Sequence, residues 1–155
     1  MITIQQVKRT ILIVKEAQVK RELFRRYLQQ ETSFNYEFWE AESSDLALQV
    51  CVNQTPDCIV LDYLLPDRDG LEFLDELKTL TGDNLPPVIM LNERGNEAIA
   101  IQAFKMGVQD YLIESEITPE NFRSVTRTAF ENFHLRQQLR ESEERYRAIV
   151  EDGDR

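Results

Sequence analysis

The sequence predicts an α/β fold: a doubly wound, five-stranded parallel sheet with helices on both faces. Three observations lead there. Short unbroken apolar runs, such as Thr10-Ile11-Leu12-Ile13-Val14 and Cys58-Ile59-Val60-Leu61, are what strands covered on both faces contain. Between the runs lie segments whose apolar residues recur at helical spacing. The two kinds of segment alternate through five strand–helix units without an internal sequence repeat, and such alternation implies parallel strands joined by crossover helices.

Each element has its own signal. After the first strand, Val19, Leu23, Phe24, Tyr27 and Leu28 mark a helix. Phe34, Tyr36 and Phe38 then alternate with polar residues, which predicts a half-exposed strand at a sheet edge, with Trp39 packing beside it. Ser43 or Ser44 can cap a short helix whose apolar pairs are Leu46/Val50 and Ala47/Cys51. The buried run from Cys58 ends at Asp62, and Leu71, Leu74, Leu77 and Leu80 mark a helix closed by Gly82. Pro86-Pro87 precedes the run Val88-Ile89-Met90-Leu91. Ile99, Ala100, Ala103 and Phe104 form a helix that Gly107 can terminate. Tyr111-Leu112-Ile113 is the fifth strand, and Thr118-Pro119 opens a last helix with Phe122, Val125, Ala129, Phe130 and Phe133 on its apolar face.

That last helix meets no stop signal before Gly153, and its character changes after Phe133. Leu135, Leu139, Ser142, Tyr146 and Ile149 are spaced 4-3-4-3 among charges, the spacing of a coiled-coil seam. Two readings stand: a homodimer or inter-domain connector through this helix, or a solvated tail. The chain accordingly divides into a domain at 1–132 and a helical linker at 133–155.

Composition excludes several classes. Aliphatic and aromatic residues make up 42% of 155 residues, enough for a core despite 30% charge. The net charge is −10, and residues 1–117 carry 20 of the 28 acids but 11 of the 18 bases, which argues against a nucleic-acid footprint. No apolar stretch approaches a membrane span, and Met1 to Val14 carries no secretory pattern, so a cytoplasmic location is expected. Cys51 and Cys58 lack metal-type spacing and read as buried thiols. His134, the single histidine, excludes multi-histidine metal sites and reads as an exposed helical residue.

Ligands of open parallel sheets bind beyond the carboxyl ends of the strands. Those ends carry Lys15-Glu16, Asp62, Asn92-Glu93 and Glu114-Ser115, with no glycine-rich phosphate loop after the first strand. The segment Asp62-Tyr63-Leu64-Leu65-Pro66-Asp67-Arg68-Asp69-Gly70 resembles the phosphoacceptor loop of response-regulator receiver domains. Further landmarks follow in order: Ile11 to Val14, Pro87 to Leu91, and Gly107 to Leu112, with 30 residues from Asp62 to Asn92 and 19 from Asn92 to Tyr111. The resemblance spans about Arg9 to Phe130 and implies a flavodoxin-like sheet of order 2-1-3-4-5.

It also implies a chemistry. Asp62 would accept a phosphoryl group from a histidine kinase or phosphotransfer protein. Mg2+ would sit between an acid pair, here reduced to Glu16, the Asp62 carboxylate and the Leu64 backbone carbonyl. Tyr111 would be the switch aromatic. Three positions depart from the family pattern: Lys15 replaces one of the paired acids, Asn92 stands where a Ser or Thr would bond phosphate, and Glu114 replaces a lysine. Mg2+ binding is therefore expected to be weak or absent. The changes at 15 and 114 are reciprocal, so Lys15 either pairs with Glu114 or lies at the metal position beside Asp62; snorkelling of both into solvent is the remaining alternative.

The expected function is a receiver module in two-component phosphorelay signalling, with altered metal and phosphate positions, passing its state through the C-terminal helix to an output domain. The alternative is a phosphorylation-independent interaction and dimerisation scaffold. An aspartate-nucleophile phosphohydrolase loses support because Leu64 stands where its acid/base would be. Residues Leu139 to Val150 also resemble the helical lead into PAS domains.

Overall fold

The computed structural model describes residues 8–82 and 84–153. Residues 1–7 of the expected first domain and the last two of the linker lie outside that range. Five strands, β1 (Lys8–Val14), β2 (Asn35–Ala41), β3 (Cys58–Asp62), β4 (Val88–Asn92) and β5 (Asp110–Ile113), form one parallel sheet in the order β2-β1-β3-β4-β5. Five helices alternate with them: α1 (Gln18–Gln29), α2 (Ser44–Asn53), α3 (Gly70–Thr81), α4 (Glu97–Lys105) and α5 (Pro119–Gly153). A 3-10 turn, Glu114–Glu116, follows β5.

The alternation of side chains along each strand builds two cores. Leu12, Val14, Ile59, Leu61, Val88 and Met90 face α2, α3 and α4 and pack on Phe73, Leu74 and Leu77. Ile11, Ile13, Cys58, Val60, Ile89 and Leu91 face α1 and α5 and pack on Phe24, Leu28 and Phe122. Phe24, Phe73 and Phe122 are fully buried, each stabilising the fold by about 1.5–3 kcal/mol relative to an exposed side chain. Burial pushes the Cys51 and Cys58 thiols up to about 11 and about 12, and both are unpaired.

Side-chain caps fix where α2, α3, α4 and α5 begin, while α1 starts after Ala17 without one. Of the two candidate serines, Ser43 caps α2, its hydroxyl accepting the Leu46 N–H at 3.3 Å. Asp69 accepts the Glu72 N–H at the start of α3, and Asn96 the Ile99 N–H at the start of α4. At α5 the Thr118 hydroxyl and the Asn121 amide oxygen cap reciprocally.

Helix α5 is held to the body along its first half. Phe122 packs edge-on against Phe24, Phe130 stacks on Tyr36, and the Arg9 guanidinium lies 4.2 Å and 4.5 Å from the Phe34 and Phe130 ring centroids. Arg127 pairs with Glu31, and this bond together with the Ser33 N–H brings the Glu31 carboxyl down to about 2. Four residues expected on buried helix faces are instead exposed: Val19, Leu46, Leu80 and Phe104. Each sits where the neighbouring positions, Phe24, Ala47, Leu77 and Ala103, already fill the sheet-facing side. The edge strand β2 is half-buried as its alternation predicts, although it starts one residue after Phe34.

Candidate functional site

The register of the sheet determines which strand-end residues meet. Val14 pairs with Leu61 across β1 and β3, so Lys15, the next residue, lies alongside Asp62. Asp62 pairs with Leu91 and Asn92 with Ile113, which puts Glu114 one step past the end of β5. Three strand spacings, about 14 Å, separate β1 from β5. Only two long side chains extended toward one another cross that distance.

Lys15 and Glu114 do so over Asp62. The Lys15 ammonium donates to Asp62 Oδ2 at 2.9 Å and to Glu114 Oε2 at 3.1 Å. All three side chains are about nine-tenths buried, with exposures of 11%, 10% and 10%. Lys20, in the first turn of α1, approaches the other Glu114 oxygen at 3.6 Å. Two ammoniums and two carboxylates therefore balance. The three closest groups alone, Lys15, Asp62 and Glu114, carry one net negative charge.

Electrostatics follow from that count. Burial works against the Lys15 charge, but the hydrogen bonds and charges of Asp62 and Glu114 outweigh it and raise the ammonium above the ordinary lysine value. Burial also raises the Asp62 carboxyl, Lys15 pulls it back, and the Glu114 charge adds to the rise, for a net upward shift. Glu16 is exposed and contributes its backbone carbonyl to Arg21. Leu64 is exposed at the rim. Among the described residues no three acid, histidine or cysteine side chains come together as a metal-holding group.

The loop after β3 is fixed from both sides. The Asp67 carboxylate accepts the Ser44 and Asp45 N–H groups, each at 3.0 Å, tying the loop to the start of α2. Arg68 reaches Asp45 and Glu76. Gly70 closes the loop because a Cβ there would lie 2.9 Å from the Asp62 backbone oxygen.

Beside this cluster the Tyr111 hydroxyl is held by two donors. Asn92 Nδ2 donates to it at 2.9 Å and the Asn96 N–H at 3.2 Å. Tyr111 is thereby tied to the end of β4 and to the cap of α4. The sequence singles out Asn92 and Tyr111 but gives no sign that they bond. Arg21 also escapes it: its guanidinium donates to the Lys15 and Glu16 carbonyls at 2.6 Å and 2.8 Å and fixes the turn that aims Lys15 inward. A depression of about 350 Å3 lined by Lys15, Lys20, Glu93 and Glu114 opens beside the cluster. Two larger ones, about 480 Å3 each, lie at the opposite end of the sheet around Phe133.

The family model of the response regulator receiver domain matches residues 11–125. The chain belongs to that family. The curated relatives that this receiver resembles include the transcriptional regulatory protein ResD of Bacillus subtilis, 35% identical over 104 residues, and the phosphate regulon transcriptional regulatory protein PhoB of Pseudomonas aeruginosa, 39% identical over 108 residues. These alignments cover 67% and 68% of this chain but 41% and 45% of the relatives, so the chain spans less than half of their length. Among solved structures, the receiver is similar to NtrX of Brucella abortus, with a TM-score of 0.78 at 27% identity over 90% of this chain and 31% of that one. A putative response regulator of Chloroflexus aurantiacus gives 0.68 at 27% identity, over 81% of this chain and 99% of that one. Receiver domains of this family are regulatory modules of two-component phosphorelay signalling.

Proposed function

We propose that this receiver is set in one conformation by its own side chains and accepts phosphate poorly. The Lys15 ammonium bonded to both Asp62 and Glu114 carries this reading. Asp62 remains the candidate phosphoacceptor, but one of its oxygens is engaged by a cation that is part of the chain. A bound Mg2+ would have to sit against that ammonium, and it would find Glu16, Asp62 and the Leu64 carbonyl as its protein ligands. With an ammonium among them these donors do not fit a dication, so Mg2+ binding should be weak. Glu114 adds repulsion where an incoming phosphoryl group would otherwise meet a lysine.

Asn92 supports the same reading. Its amide, in place of a hydroxyl drawn toward phosphate, holds the Tyr111 hydroxyl at 2.9 Å. Tyr111 then needs no phosphate to fix its position against the start of α4. The partners that fit are an output domain reached through α5, with 133–155 as its linker, and a second copy of the chain. A histidine kinase or phosphotransfer protein fits to the extent that Asp62 still reacts. The acidic surface and cytoplasmic setting expected from the sequence suit such a module.

Incubation of the chain with acetyl phosphate and Mg2+, followed by intact-mass measurement, tests the proposal. At most a minor fraction should gain the mass of one phosphoryl group. Near-complete conversion, abolished by Asp62→Asn, would show a competent acceptor and overturn it.

A further inference from the structure

The two halves of α5 use opposite sides of the helix. Phe122, Thr126, Ala129 and Phe133 run at 4-3-4 spacing along the side that faces the protein's own sheet; the first three are almost completely buried and Phe133 is half-buried. The second stripe begins at Leu135, two residues past Phe133, which is a rotation of about 200° around an α-helix. Its members are strongly exposed: Leu135 and Leu139 at 60%, Tyr146 at 69% and Ile149 at 71%. An apolar stripe on that side cannot be covered by the domain that α5 already packs against.

We infer that this stripe pairs, parallel and in register, with the same stripe of a second copy, and that the two receiver bodies lie on outer, opposite sides of the resulting stalk. The inference deepens the reading of α5 as a connector by stating what pairs and how. Leu139 and Tyr146 take the a positions of the heptad, and Leu135, Ser142 and Ile149 the d positions. Parallel pairing then brings Glu131 at g opposite Arg136 at e of the second copy, and Gln138 opposite Glu143. No like charges face each other at these flanking positions. Within each helix, Glu141 precedes Arg145 and Glu143 precedes Arg147 by four residues, the orientation that supports an exposed helix.

The 200° offset sets the shape of the dimer. Each body packs on the side of α5 that points away from the seam, so neither is pressed against the other. The Asp62 end of each sheet and the exposed Ile101 and Phe104 of α4 stay uncovered. Ser142, small and polar in the middle of the seam, keeps the dimer weak and concentration-dependent.

Light scattering on the full chain across a concentration series, beside Leu139→Glu, reads the first part. The unmodified chain should approach twice the monomer mass and Leu139→Glu should stay monomeric; both fold, because Leu139 touches no core. Mild oxidation of Ile149→Cys should give a disulfide-linked dimer, while Phe104→Cys should not. A monomer at every concentration, a dimer that survives Leu139→Glu, an Ile149→Cys chain that fails to cross-link (an antiparallel pair), or cross-linking through Phe104→Cys would each overturn the inference. These readouts do not involve Asp62. A chain that takes up phosphate readily yet dimerises as described would overturn the preceding proposal and leave this one standing.

Discussion

Lys15→Met should destabilise the protein by about 3 kcal/mol at neutral pH, because removing one partner of a buried ion cluster leaves its remaining charges uncompensated. Here two carboxylates, Asp62 and Glu114, would be left facing each other with only the more distant Lys20 nearby. Asp62→Asn should cost about 1 kcal/mol or less, since an amide oxygen still accepts from Lys15 and the ionisation that burial opposes is gone. The asymmetry between the two variants separates this cluster from an ordinary salt bridge. Denaturant midpoints at constant m would measure it.

The pH dependence of that difference follows from the shifts. The Lys15 value is raised in the folded state, so its contribution is fully present below the ordinary lysine value and is lost as the pH climbs through the folded value. The Asp62 value is also raised, so its ionisation weakens the fold as pH rises from the ordinary aspartate value to the folded one. Without Lys15 this penalty grows. The gap between Lys15→Met and the unmodified chain should therefore narrow in acid, below the ordinary carboxylate range. An unchanged gap at acid pH would mean that Lys15 stabilises by packing its stem and not by its charge.

Exchanging the reciprocal pair should have the largest functional effect. Lys15→Asp/Glu114→Lys rebuilds the family's acid pair and its phosphate-facing lysine without changing the net charge. Mg2+ affinity should rise at least tenfold, on the order of the 1.4 kcal/mol or more that reversing a charge within a few ångströms of a dication provides. Calorimetric titration of Mg2+ reads this directly. Equal affinity in both chains would show that Lys15 does not govern the metal position. Lys15→Asp alone is informative as well: it should be unstable in chelator and regain stability as Mg2+ is added.

The fold could be read from the sequence because its signals are redundant. Each buried strand is an unbroken apolar run, and two of the helices, α2 and α5, begin at capping hydroxyls visible in the sequence, Ser43 and Thr118. The helix faces were read less well. Val19 and Phe104 obey the helical period yet point outward, since a helix over a sheet has room for only one narrow apolar stripe. The site was legible as a set of positions, because strand ends place Lys15, Asp62, Asn92 and Glu114 together whatever their rotamers. Its bonds were legible only in part. The reciprocal charges at 15 and 114 did point to the Lys15 bonds, offered as alternatives that the structure joins, with one ammonium reaching both Glu114 and Asp62; the support from Arg21 depends on carbonyls that any sequence would carry. The Asn92–Tyr111 bond joins residues 19 apart through side-chain directions that no spacing encodes.

Amide NMR spectra of the unmodified chain, recorded with and without Mg2+ and beryllofluoride, test the central claim that its own side chains set its state. Turning a two-state switch from 1:99 to 99:1 requires about 5.5 kcal/mol of differential binding. A phosphate mimic at this site must displace the Lys15 ammonium from Asp62 and approach Glu114 before it gains anything. The signals of Asn92, Asn96, Tyr111 and α4 should therefore stay where they are. Large, saturable shifts of those same amides would show a phosphate-driven switch and contradict the account.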